Sequence, residues 1–260
     1  MRRVILSIAC IACLAPLSIS GLAQTSTPNS NAPNSDAGTR KADPVAWNLL
    51  KSTRETRYYF LSSFVGFTTG VVLNDNGKIA KGTLKYDVGK GSELNIERVE
   101  EAAKDWLNET VMNILGHRRS PDFDKGDGRH PITFGEDDSS PAGRRVVLND
   151  SMKSSYRIRD NHVTEVDRTV GTDHFTISIM EETPAGGGRF LPRHFTVTYF
   201  DAKTGAIKRS EAFTDEYRQV SGIWFPMSRR VVRAENGKVI IRIIEFHNPR
   251  IRFDHARSSQ

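Results

Sequence analysis

From residue 145 onward the chain is a series of short alternating segments broken by turn residues, with almost no room for a helix. The alternation predicts strands at 146–148, 156–159, 163–170, 175–180, 195–200, 206–213, 224–233 and 238–246. Between them stand turn formers such as Asp160-Asn161, Gly171-Thr172-Asp173, Gly186-Gly187-Gly188, Asp201 to Gly205, and Glu235-Asn236-Gly237. Connections this short join antiparallel neighbours, so the segment reads as a meander. In the strands around Phe175, Ile177 and Ile179, and around Phe195, Val197 and Tyr199, apolar side chains alternate with polar ones, which gives one wet face. The last strand differs: Val239, Ile241 and Ile243 lie on one side and Ile240, Ile244 and Phe246 on the other, a pattern that demands cover on both.

The first half supplies helices. Asp43-Pro44 is a helix start running to about residue 57, with Val45, Ala46, Leu49 and Leu50 on one face. A hairpin follows, 64–73 and 78–86 around Asn76-Gly77, and Gly89 and Gly91 end it. Residues 97–117 form the best helix, with Val99, Ala102, Ala103, Trp106, Val111, Ile114 and Leu115 as its stripe. Residues 120–143 are loop-rich, and a connection this long is often functional. The expected fold is α+β, mostly β: a strongly curved antiparallel sheet, an incomplete barrel, covered by one or two helices. Such a sheet encloses an apolar cavity or is filled by its own side chains, and the pattern leaves both open.

Domain organisation follows from the N-terminus. Met1-Arg2-Arg3 precedes an apolar run to Leu22, which reads as a signal peptide over 1–23. Pro16, Ser18 and Ser20 favour this over an uncleaved anchor. Residues 24–42 form a Ser/Asn/Pro linker, 43–255 a single domain and 256–260 a tail. Cleavage lowers the formal charge from +6 to +4, because Arg2 and Arg3 leave. Cys10 and Cys13 leave too, so an exported chain, periplasmic or extracellular, must hold together without a disulfide. Both cysteines lie too early for a lipoprotein cleavage site, which makes lipid anchoring the lesser alternative.

Chemical motifs are scarce. The loop from Asp122 to Gly128 has Gly126, Asp127 and Thr133 where a calcium loop needs Asp or Asn, Gly and Glu. The seven histidines show no helical or strand zinc spacing, so no metal is expected. A nucleophile elbow, a phosphate loop and a dinucleotide fingerprint are all missing, so neither cofactor nor catalytic residue is assigned. His117, Arg118, Arg119 and His130 flank the long loop and form the one polar cluster from which an acid/base site could be built; the plainer reading is a helix C-terminus with its ion pairs. Arg157, Arg159, Arg168, Arg229, Arg230 and Arg233 alternate with Asp160, Glu165, Asp167, Glu181 and Glu182. That predicts a mixed-sign outer face and argues against nucleic acid, while peripheral contact with a membrane surface stays open. Oligomeric state is not legible.

Several motifs carry a resemblance. Tyr199-Phe200-Asp201 with Thr204-Gly205, Phe213-x-Asp215-x-Tyr217, and Gly222-Ile223-Trp224-Phe225-Pro226 before a basic strand resemble the bacterial lipoprotein carrier (Lol-type) superfamily over residues 189–253. That resemblance implies a half-barrel lidded by helices, which holds an acyl chain in the periplasm. Nearly all of the mature domain is similar to an uncharacterised bacterial family. The motifs are Arg57-Tyr58, Phe64-x-Gly66-Phe67, His117-Arg118-Arg119-Ser120, the stretch from Ser154 to Asn161, and Gly222-x-Trp224-x-Pro226. The resulting expectation is a non-catalytic envelope protein that binds a lipid, acyl chain or other apolar small molecule. Trp106, Phe175, Ile177, Phe195, Tyr199 and Trp224 are the candidate wall residues. An enzyme using the loop between His117 and His130, and an interaction protein with a filled core, are the alternatives.

Overall fold

The Asp43 carboxylate accepts from the backbone N–H groups of Val45 and Ala46, at 2.8 and 3.3 Å, and so starts helix α1 (Pro44–Glu55). The computed structural model describes residues 42–119 and 122–254. The expected signal peptide, nearly all of the linker and the tail lie outside them. A second helix, α2 (Glu101–Gly116), follows the strands β1 (Phe64–Asp75), β2 (Lys78–Asp87) and β3 (Gly91–Ile96). After a short 3-10 turn at Asp127–Arg129 come β4 (Ile132–Phe134), β5 (Arg144–Leu148), β6 (Ser155–Arg159) and β7 (His162–Val170). The chain ends with β8 (Asp173–Pro184), β9 (Phe190–Asp201), β10 (Ile207–Val220), β11 (Ile223–Glu235) and β12 (Lys238–Phe253).

All twelve strands form one antiparallel sheet. From β4 to β12 each strand pairs with its successor, as the meander predicts. Then β12 pairs with β1, and β1 and β2 continue the order to β3. The sheet therefore stays open, with β3 and β4 as its edges. Asn236 and Gly237 adopt φ of 51° and 70°, the left-handed pair that a tight hairpin needs. Gly66 and Gly82 mark close backbone approaches where the sheet bends. A Cβ would lie 2.2 Å from the Tyr86 carbonyl oxygen at the first and 2.1 Å from that of Asn95 at the second.

Several details depart from the sequence reading, among them β10 and β12, which run on to Val220 and Phe253. β3 and β4 arise in stretches read as a break and a loop, because short strands carry little alternation. α2 begins at Glu101, four residues later than expected at residue 97. Its buried face is Ala103, Leu107, Thr110, Val111, Ile114 and Leu115, with Trp106 at the flank and Ala102 exposed. On α1, Ala46 and Leu50 are buried while Val45 is exposed. The outer side of β12 has no helix over it, and Val239 and Ile241 are 61% and 43% exposed.

Apolar side chains on the concave face gather in three clusters. α2 contributes Leu107, Val111, Ile114 and Leu115 to one cluster with Phe67, Leu73, Phe225 and Ile244. α1 contributes Ala46 and Leu50 to a second with Ile132, Val146, Leu148 and Tyr156. The third, between them, consists of Phe175, Val197 and Tyr199, with Val170, Ile177, Phe195 and Phe213 against it, and contains no helical residue. Among the described residues no helix is long and apolar enough to cross a membrane.

Candidate functional site

Sheet register decides which polar side chains reach this helix-free middle. Arg168 pairs with Phe175, Arg229 with Asp215, and Arg233 with Glu211, so each pair shares a face. These arginines therefore point into the concavity with the aromatic rings. The Arg229 guanidinium lies 5.6 Å from the Phe195 ring centroid and 5.3 Å from that of Phe213, and Arg209 lies 3.7 Å from Tyr199. Cations replace a helix as the cover of the middle cluster. Here the expectation of an all-outer basic face fails for Arg168, Arg229 and Arg233.

Two chains of contact run from this cover toward the helices. On one side Asp215 accepts both Arg229 donors at 2.6 Å in a bidentate pair. The Tyr217 hydroxyl donates to Asp215 at 2.9 Å, and Arg118 donates to the Tyr217 oxygen at 2.5 Å. On the other side Arg168 donates to the Tyr156 hydroxyl, and that hydroxyl donates to Asp127 at 3.0 Å. Arg54 pairs with Asp127 and lies 3.1 Å from the Tyr156 oxygen.

Both helices end here. Thr56 caps α1 and His117 caps α2, so Arg57 and Arg118 each follow a helix C-terminus. Beyond α1 the chain crosses the end of the concavity, bonded to Phe190 through Tyr58 and Thr56. Alternation there sends Tyr58 and Phe60 into the α2 core cluster. It leaves Arg57 in the field of Tyr59, Arg54 and Arg118.

Electrostatics divide the groups. Burial opposes charge on Arg54 and Arg229, yet Tyr156 and Asp127 for the first, and Asp215 for the second, hold both guanidinium pKa values above the ordinary one. For Asp127 burial is likewise outweighed, by Arg54 and Arg168, and its carboxyl is held low. Arg57 goes the other way: burial, then Arg54 and Arg118, lower its pKa. A guanidinium stays protonated at neutral pH, so this depression records an unfavourable field rather than lost charge. Burial and four arginines, Arg57, Arg118, Arg229 and Arg168, push His117 well below its ordinary value. Arg57 and His117 nevertheless retain some accessible surface, as side chains lining a concavity do. Burial raises Tyr217, and burial with Glu211 pushes Tyr199 up to about 12.

The predicted wall residues separate into two groups. Phe175, Ile177, Phe195 and Tyr199 come together in the middle cluster. Trp106 and Trp224 pack against the α2 cluster instead, the first 4.7 Å from the Arg242 guanidinium and the second donating its indole N–H to Ala185 at 3.0 Å. Of the polar set, His117 and Arg118 join the arginine cluster. Arg119 is exposed, and His130 takes its 3.2 Å contact from its neighbour Arg129. The long loop contributes Asp127. Sequence reasoning missed Arg54, Arg57, Asp127, Tyr156, Asp215 and Tyr217. The available signal was strand parity: Arg168 alternates with buried Val166, and Arg229 with buried Val231. Among the described residues no three His, Cys, Asp or Glu side chains gather as a metal site would require.

Similar solved structures include a domain described as an outer membrane lipoprotein-sorting protein from Vibrio parahaemolyticus, 9% identical, covering 83% of this chain and 94% of its own, at a TM-score of 0.37. A LolA superfamily protein from Nitrosomonas europaea is 8% identical, with coverage of 82% and 96% and a TM-score of 0.27. A DUF1329 family protein from Desulfovibrio piger is 12% identical, with coverage of 84% and 95% and a TM-score of 0.25. No functional residue is carried across at these scores. No curated protein matches the chain in sequence. Over residues 41–251 the chain matches one family model, and it belongs to that family, described as Protein of unknown function (DUF3386).

Proposed function

We propose that this chain is a non-catalytic, exported binding module that holds an apolar ligand on its concave face, between the two helices. The observation that carries this is the third cluster: aromatic rings sit on the sheet with no helical residue over them, covered by guanidinium groups. Phe175 and Tyr199 are themselves buried, and Ile177, Phe195 and Phe213 keep partial exposure. An apolar chain laid over that exposed part gains about 25 cal/mol per Å². Phe175, Ile177, Phe195 and Tyr199 form the floor, with Phe213 beside them. The apolar leader and polar linker read in the sequence support an envelope location.

Native mass spectrometry and solvent extraction of the purified protein test this, together with titration of the neutral fluorophore N-phenylnaphthylamine. The expected result is co-purifying lipid or saturable fluorophore uptake. Loss of that uptake in Ile177→Trp, which fills the floor, places the fluorophore over the middle cluster. Neither lipid nor uptake would leave a filled-core interaction protein as the better reading.

A further inference from the structure

We infer that the ligand is an amphiphile with one oxyanion, a carboxylate or a phosphate monoester, and that Arg57, Arg118 and Arg168 receive it while the chain lies along the middle cluster. This rests on the middle cluster being a ligand site, and adds what one end of that site recognises.

Charge balance makes the first argument. Arg54 and Arg168 meet at Tyr156 and Asp127, and Arg118 and Arg229 at Tyr217 and Asp215. Arg57 follows the α1 end in the field of Arg54 and Arg118, which sets five arginines against two carboxylates. Asp127 is matched by Arg54, and Asp215 by Arg229 in a bidentate pair. Among the described residues Arg57, Arg118 and Arg168 form no direct ion pair. Arg118 and Arg168 bond to the hydroxyls of Tyr217 and Tyr156 and lie over the same rings, and Arg168 feels Asp127 only across Tyr156. The two helix C-termini supply about half a negative charge each, which offsets about one of the three. About two positive charges remain.

Donor satisfaction makes the second. Arg118 and Arg168 are 3% and 2% exposed, and the Nε–H of each is buried with no acceptor, as is the Tyr59 hydroxyl. Arg209 Nε and Arg144 Nη1 share this condition, but only Arg118 and Arg168 combine it with the absence of an ion pair. A buried guanidinium N–H without a partner is costly, so an acceptor here is stabilising. An oxyanion supplies several lone pairs at once, together with about half of the missing charge as a carboxylate and nearly all of it as a phosphate monoester. Carboxylates and phosphates fit this planar donor geometry, and neutral headgroups leave the charge excess unmatched.

Position makes the third. Arg168 pairs in register with Phe175, and Arg229 lies over Phe195 and Phe213 while bonded to Asp215. Arg168 thus adjoins the aromatic floor directly, and Arg118 is joined to it through Tyr217, Asp215 and Arg229, so a headgroup and a tail on one molecule reach both.

Displacement of N-phenylnaphthylamine by dodecanoate, dodecyl phosphate, dodecanol and inorganic phosphate tests the inference. Dodecanoate or dodecyl phosphate is expected to bind at least about tenfold more tightly than dodecanol, the size of a charge-assisted contact. Whichever acid binds better identifies the headgroup. Arg57→Gln and Arg118→Gln should each bring the acid-to-alcohol ratio toward one. If Arg118→Gln fails to fold, the wild-type ratio and the Arg57 variant decide. Equal binding of acid and alcohol overturns the headgroup assignment and leaves the apolar site standing. Inorganic phosphate binding as tightly as dodecyl phosphate overturns the amphiphile. No fluorophore uptake at all overturns the proposed site with it.

Discussion

The two ends of the concave face and its middle bury aromatic and aliphatic side chains by different means. At the ends a helix lies on the sheet, and Leu107 or Leu50 meets strand side chains carbon to carbon. In the middle the rings of Phe195, Phe213 and Tyr199 meet guanidinium groups. Helix cover is permanent, since it joins the close-packed core. Cationic cover is anchored at points, by Asp215, Glu211 and tyrosine hydroxyls. The same sheet is thus packed by helices at its ends and by guanidinium groups in between.

The sharpest test removes an anchor. Asp215→Ala strands Arg229 in a site where their side chains are 1% and 4% exposed, and should cost about 3–5 kcal/mol in urea unfolding. A cost below about 1 kcal/mol would mean that Arg229 finds water and that the cover is loose. Next comes a pairwise comparison. Leu107→Ala at the α2 end should cost about 3 kcal/mol, and Phe195→Ala in the middle less than half as much, because its ring is only partly buried. Equal costs would erase the distinction between end and middle.

The third test uses pH. His117 is held well below its ordinary 6.5 in the folded state, so the unfolded chain binds the extra proton first as pH falls. Stability attributable to this group is whole above about pH 6.5 and declines below it, by at most about 1.4 kcal/mol per pH unit. Comparing wild type with His117→Gln between pH 7 and pH 5 isolates this loss from that of the carboxylates. A flat difference would place His117 outside the arginine field. The smallest effect belongs to the α1 end: Asp43→Ala removes two accepted hydrogen bonds and should cost about 1 kcal/mol, with fluorophore uptake unchanged.

Much of this fold was legible because its turns are local. Asn236-Gly237 announces a hairpin from two residues, and Asp43-Pro44 a helix start from two more. β3 and β4 were not legible, since their pairing partners and not their own composition make them strands. The site divides the same way. Four of the six candidate wall residues sit together because alternation along each of β8 and β9 is readable. Arg168 and Arg229 read as outer residues because they owe their direction to parity with Val166 and Val231, and their company to helix ends distant in the chain. Charge on a strand suggests solvent; only register shows otherwise.

The pairing of β1 with β12 sets a timetable for the chain. Phe64 finds its partner at Phe253, so a strand made early in synthesis waits for the last one before its backbone is satisfied. Pairings of such long separation close slowly, and a bare edge is the part of a sheet that recruits other chains. Until residues 238–253 arrive, both β1 and β11 present such an edge. A chain truncated before residue 238 should therefore aggregate rather than fold as a smaller sheet.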